Sequence, residues 1–263
     1  MSQDVLYSKE EGIATITLNR PDSLNALSEE MIDMWVEAIE DAKKDDSVKV
    51  LVVTGAGRGF CSGMNVKGAA SREGGISLVD QKDNMRKGIH RVPRGLATLD
   101  KPYIGAINGP AAGAGMDMAS MCDIRIASDR ARFGMSYVRV GLIPGDGGCY
   151  FLPRIVGVAK ACELIWTGRM IDAQEALQMG YVSRVVPHDQ LMDATRELVL
   201  QLAKGPSLAI QLAKRLIYRC LDLDLNTALE ASESAMLIVR SSEDAKEGPR
   251  AWVEKREPQF KGR

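Results

Sequence analysis

The chain is predicted to be an α/β protein with a helical C-terminal region. Three observations carry that prediction. Apolar runs that read as strands alternate with amphipathic stretches from Val5 to Ala127. Strand, helix, strand in this rhythm implies parallel pairing through crossover helices. From Ala159 onward the pattern is helical.

Each element has its own signal. Residues 5–19 alternate around Gly12, which reads as a hairpin whose second arm sets Ile13, Thr15 and Thr17 against Ala14, Ile16 and Leu18. Pro21 ends it. Ser28 caps an amphipathic helix through Met31, Ile32, Trp35, Ala38 and Ile39. Residues 48–54 form a continuous apolar strand closed by Gly55-Ala56-Gly57-Arg58-Gly59. The small, glycine-rich segment 68–75 reads as a mobile loop, and one long helix is expected from Val79 to Leu99. Strands are expected at 103–107 and 124–127, and helices at 159–166, 172–179, 190–203, 207–220 and 225–240. The organisation is a core over residues 1–200 and a helical region over 201–263, of the kind that mediates assembly.

The stretch Ile107-Asn108-Gly109-Pro110-Ala111-Ala112-Gly113-Ala114-Gly115-Met116-Asp117 carries the chemistry. A β-branched run passes through small residues into a helix-like pattern. Glycines at that junction let backbone N–H groups at the helix start approach a ligand closely, and such donors stabilise a developing oxyanion. Asp117 sits one turn inside, where a carboxylate could act as a base on the same ligand. A second glycine-rich stretch, Arg58-Gly59-Phe60-Cys61-Ser62-Gly63-Met64-Asn65-Val66, lies about 50 residues earlier and also follows a strand. It lacks the Gly-Lys-Ser/Thr ending of a phosphate loop and any dinucleotide fingerprint. Two backbone donors from separate loops can converge on one carbonyl oxygen, as an oxyanion hole requires.

Composition narrows the alternatives. Over 263 residues, 45% are hydrophobic and 26% charged, which suits a soluble domain with one proper core. A net charge of −1 provides no strong field for nucleic acid or an anionic membrane. The basic run Lys82, Arg86, Lys87, His90, Arg91 and Arg94 has no interleaved aromatics and reads as a solvated helix face. Five scattered cysteines and two distant histidines, His90 and His188, offer no metal-ligand spacing and suit a reducing compartment. Cys61 and Cys122 read as small buried hydrophobes. The N-terminus shows no signal pattern and no apolar run has the length of a membrane span, so a cytoplasmic protein is expected.

Read in order, Leu18-Asn19-Arg20-Pro21 with Asn25-Ala26-Leu27, Gly55 to Gly63, Asn108-Gly109 with Gly113-Ala114-Gly115, Cys122 to Ala127, Gly141-Leu142-Ile143-Pro144, Leu152-Pro153-Arg154, and Ala245 to Phe260 resemble the crotonase, or enoyl-CoA hydratase/isomerase, superfamily. The resemblance covers nearly the whole chain. It implies a spiral of ββα units, a trimer or dimer of trimers built by the C-terminal helices, and an acyl-CoA thioester whose carbonyl is polarised into an enolate. By motif position the oxyanion-hole donors would be the N–H groups of Met64 and Ala114. Cys61, Ser62, Gly63 and Gly113 would line the substrate and CoA, and Phe260 and Lys261 would reach the nucleotide. The segment from Gly68 to Asp80 and the following helix would form the acyl pocket. No cofactor is implied, because CoA enters with the substrate, and fatty acid metabolism is the implied setting.

The departures narrow the reaction. Hydratases of this family carry glutamates where this chain has Asp117 and Tyr137, so the two-glutamate arrangement for adding water is absent. Asp146, in Pro144-Gly145-Asp146-Gly147-Gly148, is the candidate replacement, as in some isomerases of the family; its other reading is a turn former. Asp117 could also be held only by the helix dipole, Tyr137 could be a pocket wall, and Asp123 reads as a structural anchor. Double-bond isomerisation through Asp117, Asp146 and Tyr137 is the favoured expectation. A hydratase is the alternative, and a hydrolase or decarboxylase would give weight to Tyr137 or His90. A non-catalytic CoA- or RNA-binding scaffold is the remaining class.

Overall fold

The computed structural model describes residues 3–64 and 77–263. Strands β1 (Val5–Glu10) and β2 (Ile13–Leu18) form the expected antiparallel hairpin around Gly12. They continue through β3 (Val50–Gly55) and β4 (Tyr103–Ile107) in parallel register, Ile13 opposite Val50 and Leu51 opposite Tyr103. Helix α1 (Glu29–Lys44) makes the first crossover, with the Ser28 hydroxyl accepting from the Met31 N–H as an N-cap.

The long helix expected over 79–99 is instead two, α2 (Leu78–Lys87) and α3 (Arg91–Ala97). Gly88 breaks it: its φ of −99° and ψ of −114° are not helical, and a Cβ there would lie 2.7 Å from the Asn84 carbonyl oxygen. Pro93 sits in the first turn of α3, where its missing N–H costs nothing. The glycine-rich segment 68–75, and most of the expected acyl-pocket stretch, lie outside the described residues.

Beyond β4 comes a two-residue strand, β5 (Ala111–Ala112), then α4 (Ala114–Ser120) and β6 (Ile124–Ser128). Strand β7 (Arg132–Gly134), α5 (Gly148–Val156) and α6 (Val158–Thr167) follow. Strand β8 (Ile171–Asp172), α7 (Ala173–Gln178), β9 (Arg184–Val186) and α8 (Leu191–Ala203) complete the core. The main sheet has the order β1-β2-β3-β4-β6-β9, and β5-β7-β8 form a second, small one. Alternate residues of β3 point to opposite faces: Leu51 and Val53 pack with Trp35 and Ile107, while Val50 and Val52 pack with Leu191 and Val199 of α8. Both faces are therefore covered, as a largely parallel sheet requires. Helices α9 (Ser207–Cys220), α10 (Leu225–Arg240) and α11 (Asp244–Glu254) follow, and Ile217, Leu229, Leu237 and Trp252 are exposed on them in the single chain.

The loop after β3 is stitched down by two asparagines. Asn25 is fully buried at φ +55°, accepts from the Arg20 N–H at 2.8 Å, and donates to Ala56 O at 3.0 Å and Gly59 O at 2.8 Å. Asn108 donates to Gly57 O at 3.0 Å and Gly59 O at 3.1 Å. Removing the Asn25 amide takes partners from the Arg20 N–H and Ala56 O and leaves Gly59 O with Asn108 alone. Asn25→Ala is expected to lower unfolding free energy by about 3 kcal/mol, read as a lower urea midpoint at unchanged slope.

Candidate active site

Two glycine-rich loops meet at the start of α4. Phe60 and Cys61 N–H both donate to Pro110 O, at 3.0 and 3.1 Å, and Ala112 N–H donates to Cys61 O at 3.0 Å. Leu27 N–H donates to Gly63 O at 2.9 Å, so the strip 61–64 is held from both sides. Gly63, at φ +85°, lies so close to the second loop that a Cβ would be 2.6 Å from Ala112 O and 3.1 Å from Ala114 N. A Cβ on Gly115 would be 2.0 Å from Cys61 O. These contacts explain why glycine stands at 63 and 115. Ala114 opens its helix, so its N–H has no intrahelical acceptor. Among the described residues, the Met64 N–H makes no hydrogen bond either. The Met64 side chain is exposed and lines a groove of about 560 Å³ with Ile32, Met85, Ile89 and Arg91.

Asp117 and Asp146 come together across 29 residues, with Tyr137 between them. The Tyr137 hydroxyl lies 2.7 Å from Asp117 Oδ2 and 3.1 Å from Asp146 Oδ2, and the Asp146 N–H donates to Asp117 Oδ2 at 3.3 Å. Both carboxyl groups are buried. Asp117 Oδ1 has no hydrogen-bond partner, and it faces Gly148, where a Cβ would lie 2.2 Å away. Burial pushes the Asp117 carboxyl up to about 7; the Tyr137 hydrogen bond opposes this and the charge of Asp146 adds to it. Asp146 is also raised, chiefly by burial. Burial and the two carboxylates hold the Tyr137 phenol far above its ordinary range, so it acts as a neutral hydroxyl.

His90 departs from the solvated-face expectation that suits its neighbours Lys82, Arg86 and Lys87. The break at Gly88 turns its ring inward, so that Nε2 lies 2.9 Å from Gly145 O and 3.7 Å from Asp146 Oδ1. Sequence spacing within a single helix could not show this. Met85 closes on the same loop, since a Cβ on Gly145 would meet its Cε at 3.0 Å. Asp123 accepts from the Tyr103 N–H at 2.7 Å and pairs with Lys214 at 2.8 Å, an anchor for β4. Cys61 and Cys122 are buried, and desolvation raises both thiols to about 12. Ser62 donates to Ser23 O at 3.1 Å. Phe260 and Lys261 lie beside α11: Lys261 N–H donates to Asp244 at 2.7 Å and its ammonium pairs with Glu243 at 3.1 Å. Among the described residues, no hydrogen bond or ion pair joins them to the carboxyl pair.

The family model for enoyl-CoA hydratase/isomerase matches residues 8–263. The chain belongs to the enoyl-CoA hydratase/isomerase family. Its relatives include the 1,2-epoxyphenylacetyl-CoA isomerase of Escherichia coli, 36% identical over 263 residues and covering all of both chains. The short-chain-enoyl-CoA hydratase of Clostridium acetobutylicum is also 36% identical, over 99% of this chain and 98% of that one. Among solved structures, the enoyl-CoA hydratase from Bacillus anthracis superposes with a TM-score of 0.93 at 33% identity, over 99% of this chain and 100% of that one. This enoyl-CoA hydratase/isomerase family member therefore has the expected crotonase fold and is an enzyme of that type.

Proposed function

We propose that the protein takes an acyl-CoA thioester, forms its enolate against the Met64 and Ala114 N–H groups, and moves protons with Asp117 to shift a double bond. The observation that carries this reading is the carboxyl pair. Asp117 is raised to about 7 and has an oxygen that no hydrogen bond occupies. That places its ionisation near the pH at which a general base balances availability against proton affinity. Asp146 supplies a second carboxyl beside it, so one group can take a proton while another returns one. Neither glutamate of the two-glutamate hydration arrangement is present.

The relatives include both a CoA-thioester isomerase and enoyl-CoA hydratases, so the products decide between these reactions. Given 3-enoyl-CoA and 2-enoyl-CoA in separate assays, the protein is expected to migrate the double bond faster than it adds water. Dominant 3-hydroxyacyl-CoA formation would assign it as a hydratase instead. The reaction also has a pH signature. Asp117 must be ionised to accept a proton while Asp146 keeps one to return, so kcat/KM is expected to be bell-shaped in pH, rising as the pair loses its first proton and falling as it loses its last. A profile flat from pH 5 to 8 contradicts Asp117 as the base.

The same reading includes a cytoplasmic homotrimer or hexamer assembled through residues 201–263, with no cofactor beyond the CoA of the substrate. The exposed apolar side chains of α9 and α10 support the assembly. Among the described residues, no helix is long and apolar enough to cross a membrane.

A further inference from the structure

A tyrosine hydroxyl has one hydrogen to donate, yet Tyr137 lies within hydrogen-bond distance of a carboxyl oxygen on each side, at 2.7 and 3.1 Å. Both contacts can be hydrogen bonds only if one carboxyl is protonated and donates to the phenolic oxygen while the phenol donates to the other. The arrangement is therefore complete with one proton on the pair and incomplete with none. Two equivalent arrangements exist, with the proton on Asp117 or on Asp146, and they interconvert by two short hops through the Tyr137 oxygen.

We propose that Tyr137 is a proton relay, so that Asp117 and Asp146 hold one proton in common and exchange it between them. The existence of the relay stands on the geometry alone, while its use in turnover rests on the enolate reading above. In turnover, ionised Asp117 takes a proton from the α-carbon: the C–H bond breaks, an O–H bond forms, and the electron pair enters the dienolate. Protonated Asp146 then gives its proton to the γ-carbon, the carbonyl re-forms, and the double bond lies between the α- and β-carbons. The enzyme is left with its proton on the wrong carboxyl. A half-turn of the Asp117 carboxyl, which gives up the Tyr137 and Asp146 N–H hydrogen bonds at Oδ2, brings that proton to face Tyr137. Asp117 then donates to the Tyr137 oxygen as Tyr137 donates to Asp146, and the starting state returns without a proton from solvent.

Among the described residues, few other side chains face the pair. His90 approaches Asp146 Oδ1 at 3.7 Å, and Cys149 and the buried Tyr181 sense the charge on Asp117. Neither Cys149 nor Tyr181 has a hydrogen bond to either carboxyl. Proton passage between the two aspartates therefore runs through Tyr137.

The test is a carbon-13 NMR titration of aspartate-labelled protein without substrate, with the two carboxyl signals assigned from Asp117→Asn and Asp146→Asn. In the wild type, both signals are expected to move together in the last deprotonation step, because the proton is shared. In Tyr137→Phe that step is expected to be confined to one signal. Two independent steps in the wild type, one per carboxyl, would overturn the relay. Rapid-mixing kinetics with 3-enoyl-CoA give a second readout. Tyr137→Phe is expected to form one burst of product equal to the enzyme sites, then turn over about 10²-fold more slowly. Wild-type-like turnover, or slow turnover with no burst, contradicts the relay. If no thioester reacts with the wild type, the enolate reading fails, and the NMR titration still decides whether the proton is shared.

Discussion

Asp117→Asn is expected to abolish proton exchange at the α-carbon of an acyl thioester and, above pH 7, to make the protein more stable. The two effects share one cause. Asp117 is completely buried, and its folded-state pKa is raised from 3.8 to about 7. Between those two values the folded chain binds a proton that the unfolded chain has lost, so this group's stabilising contribution is fully present at low pH and is lost as pH rises through about 7. A shift of that size corresponds to about 4 kcal/mol against the fold once the group is ionised. Asparagine removes that cost. Its amide Nδ2, placed at the Oδ1 position without a partner, returns about 1–3 kcal/mol of it. The net gain at pH 8 is therefore about 1–3 kcal/mol, and at pH 4 the variant is less stable than the wild type. Thermal melts across this range read the crossing directly. A variant less stable than the wild type at every pH would show that Asp117 is held ionised by its surroundings. Loss of exchange together with a gain in stability is the signature of a group kept strained for chemistry.

Gly63→Ala is expected to lower kcat by about 10²–10³ while leaving the shape of the pH profile unchanged. Gly63 has φ +85°, and an added Cβ would lie 2.6 Å from Ala112 O and 3.1 Å from Ala114 N. Both atoms are backbone and cannot swing aside, so the two loops must separate. The proposed convergence of the Met64 and Ala114 N–H groups on one oxygen is then lost. Asp117, Tyr137 and Asp146 are not among the atoms that this Cβ meets, which is why the pH profile should hold. The backbone strain also costs about 1–3 kcal/mol of stability, so kinetics belong well below the melting temperature. Activity within a few-fold of the wild type would remove Met64 and Ala114 from the oxyanion-hole assignment.

The parts of this site that were legible in the sequence are those with local causes. Gly113 to Asp117 announces a helix start because small residues interrupt a β-branched run, and the hairpin around Gly12 is visible in its alternation. The motif resemblance then located Tyr137 and Asp146, but not their meeting. The bridge joins residues 20 and 9 apart in sequence through loops whose paths depend on tertiary packing. His90 was hidden for a different reason. The apolar spacing of 79–99 suits one continuous helix, and only the backbone angles of Gly88 reveal the turn that brings the ring to Gly145. Helix α5 is hard to see in the sequence because it opens at Gly148 and contains Pro153, both poor helix formers. The small sheet contains strands of two and three residues, too short for alternation to register. Asn25 and Asn108 were visible as motif letters, but their stitching of Gly59 is a property of folded loops.

The most direct test of the central claim is proton NMR of 3-enoyl-CoA and a saturated acyl-CoA in heavy water, with wild type and Asp117→Asn side by side. The account predicts deuterium at the α-carbon of both thioesters and double-bond migration in the first, all with the wild type and none with the variant. Exchange that persists in Asp117→Asn, or its absence from the wild type despite measurable thioester binding, would contradict enolate chemistry based on Asp117.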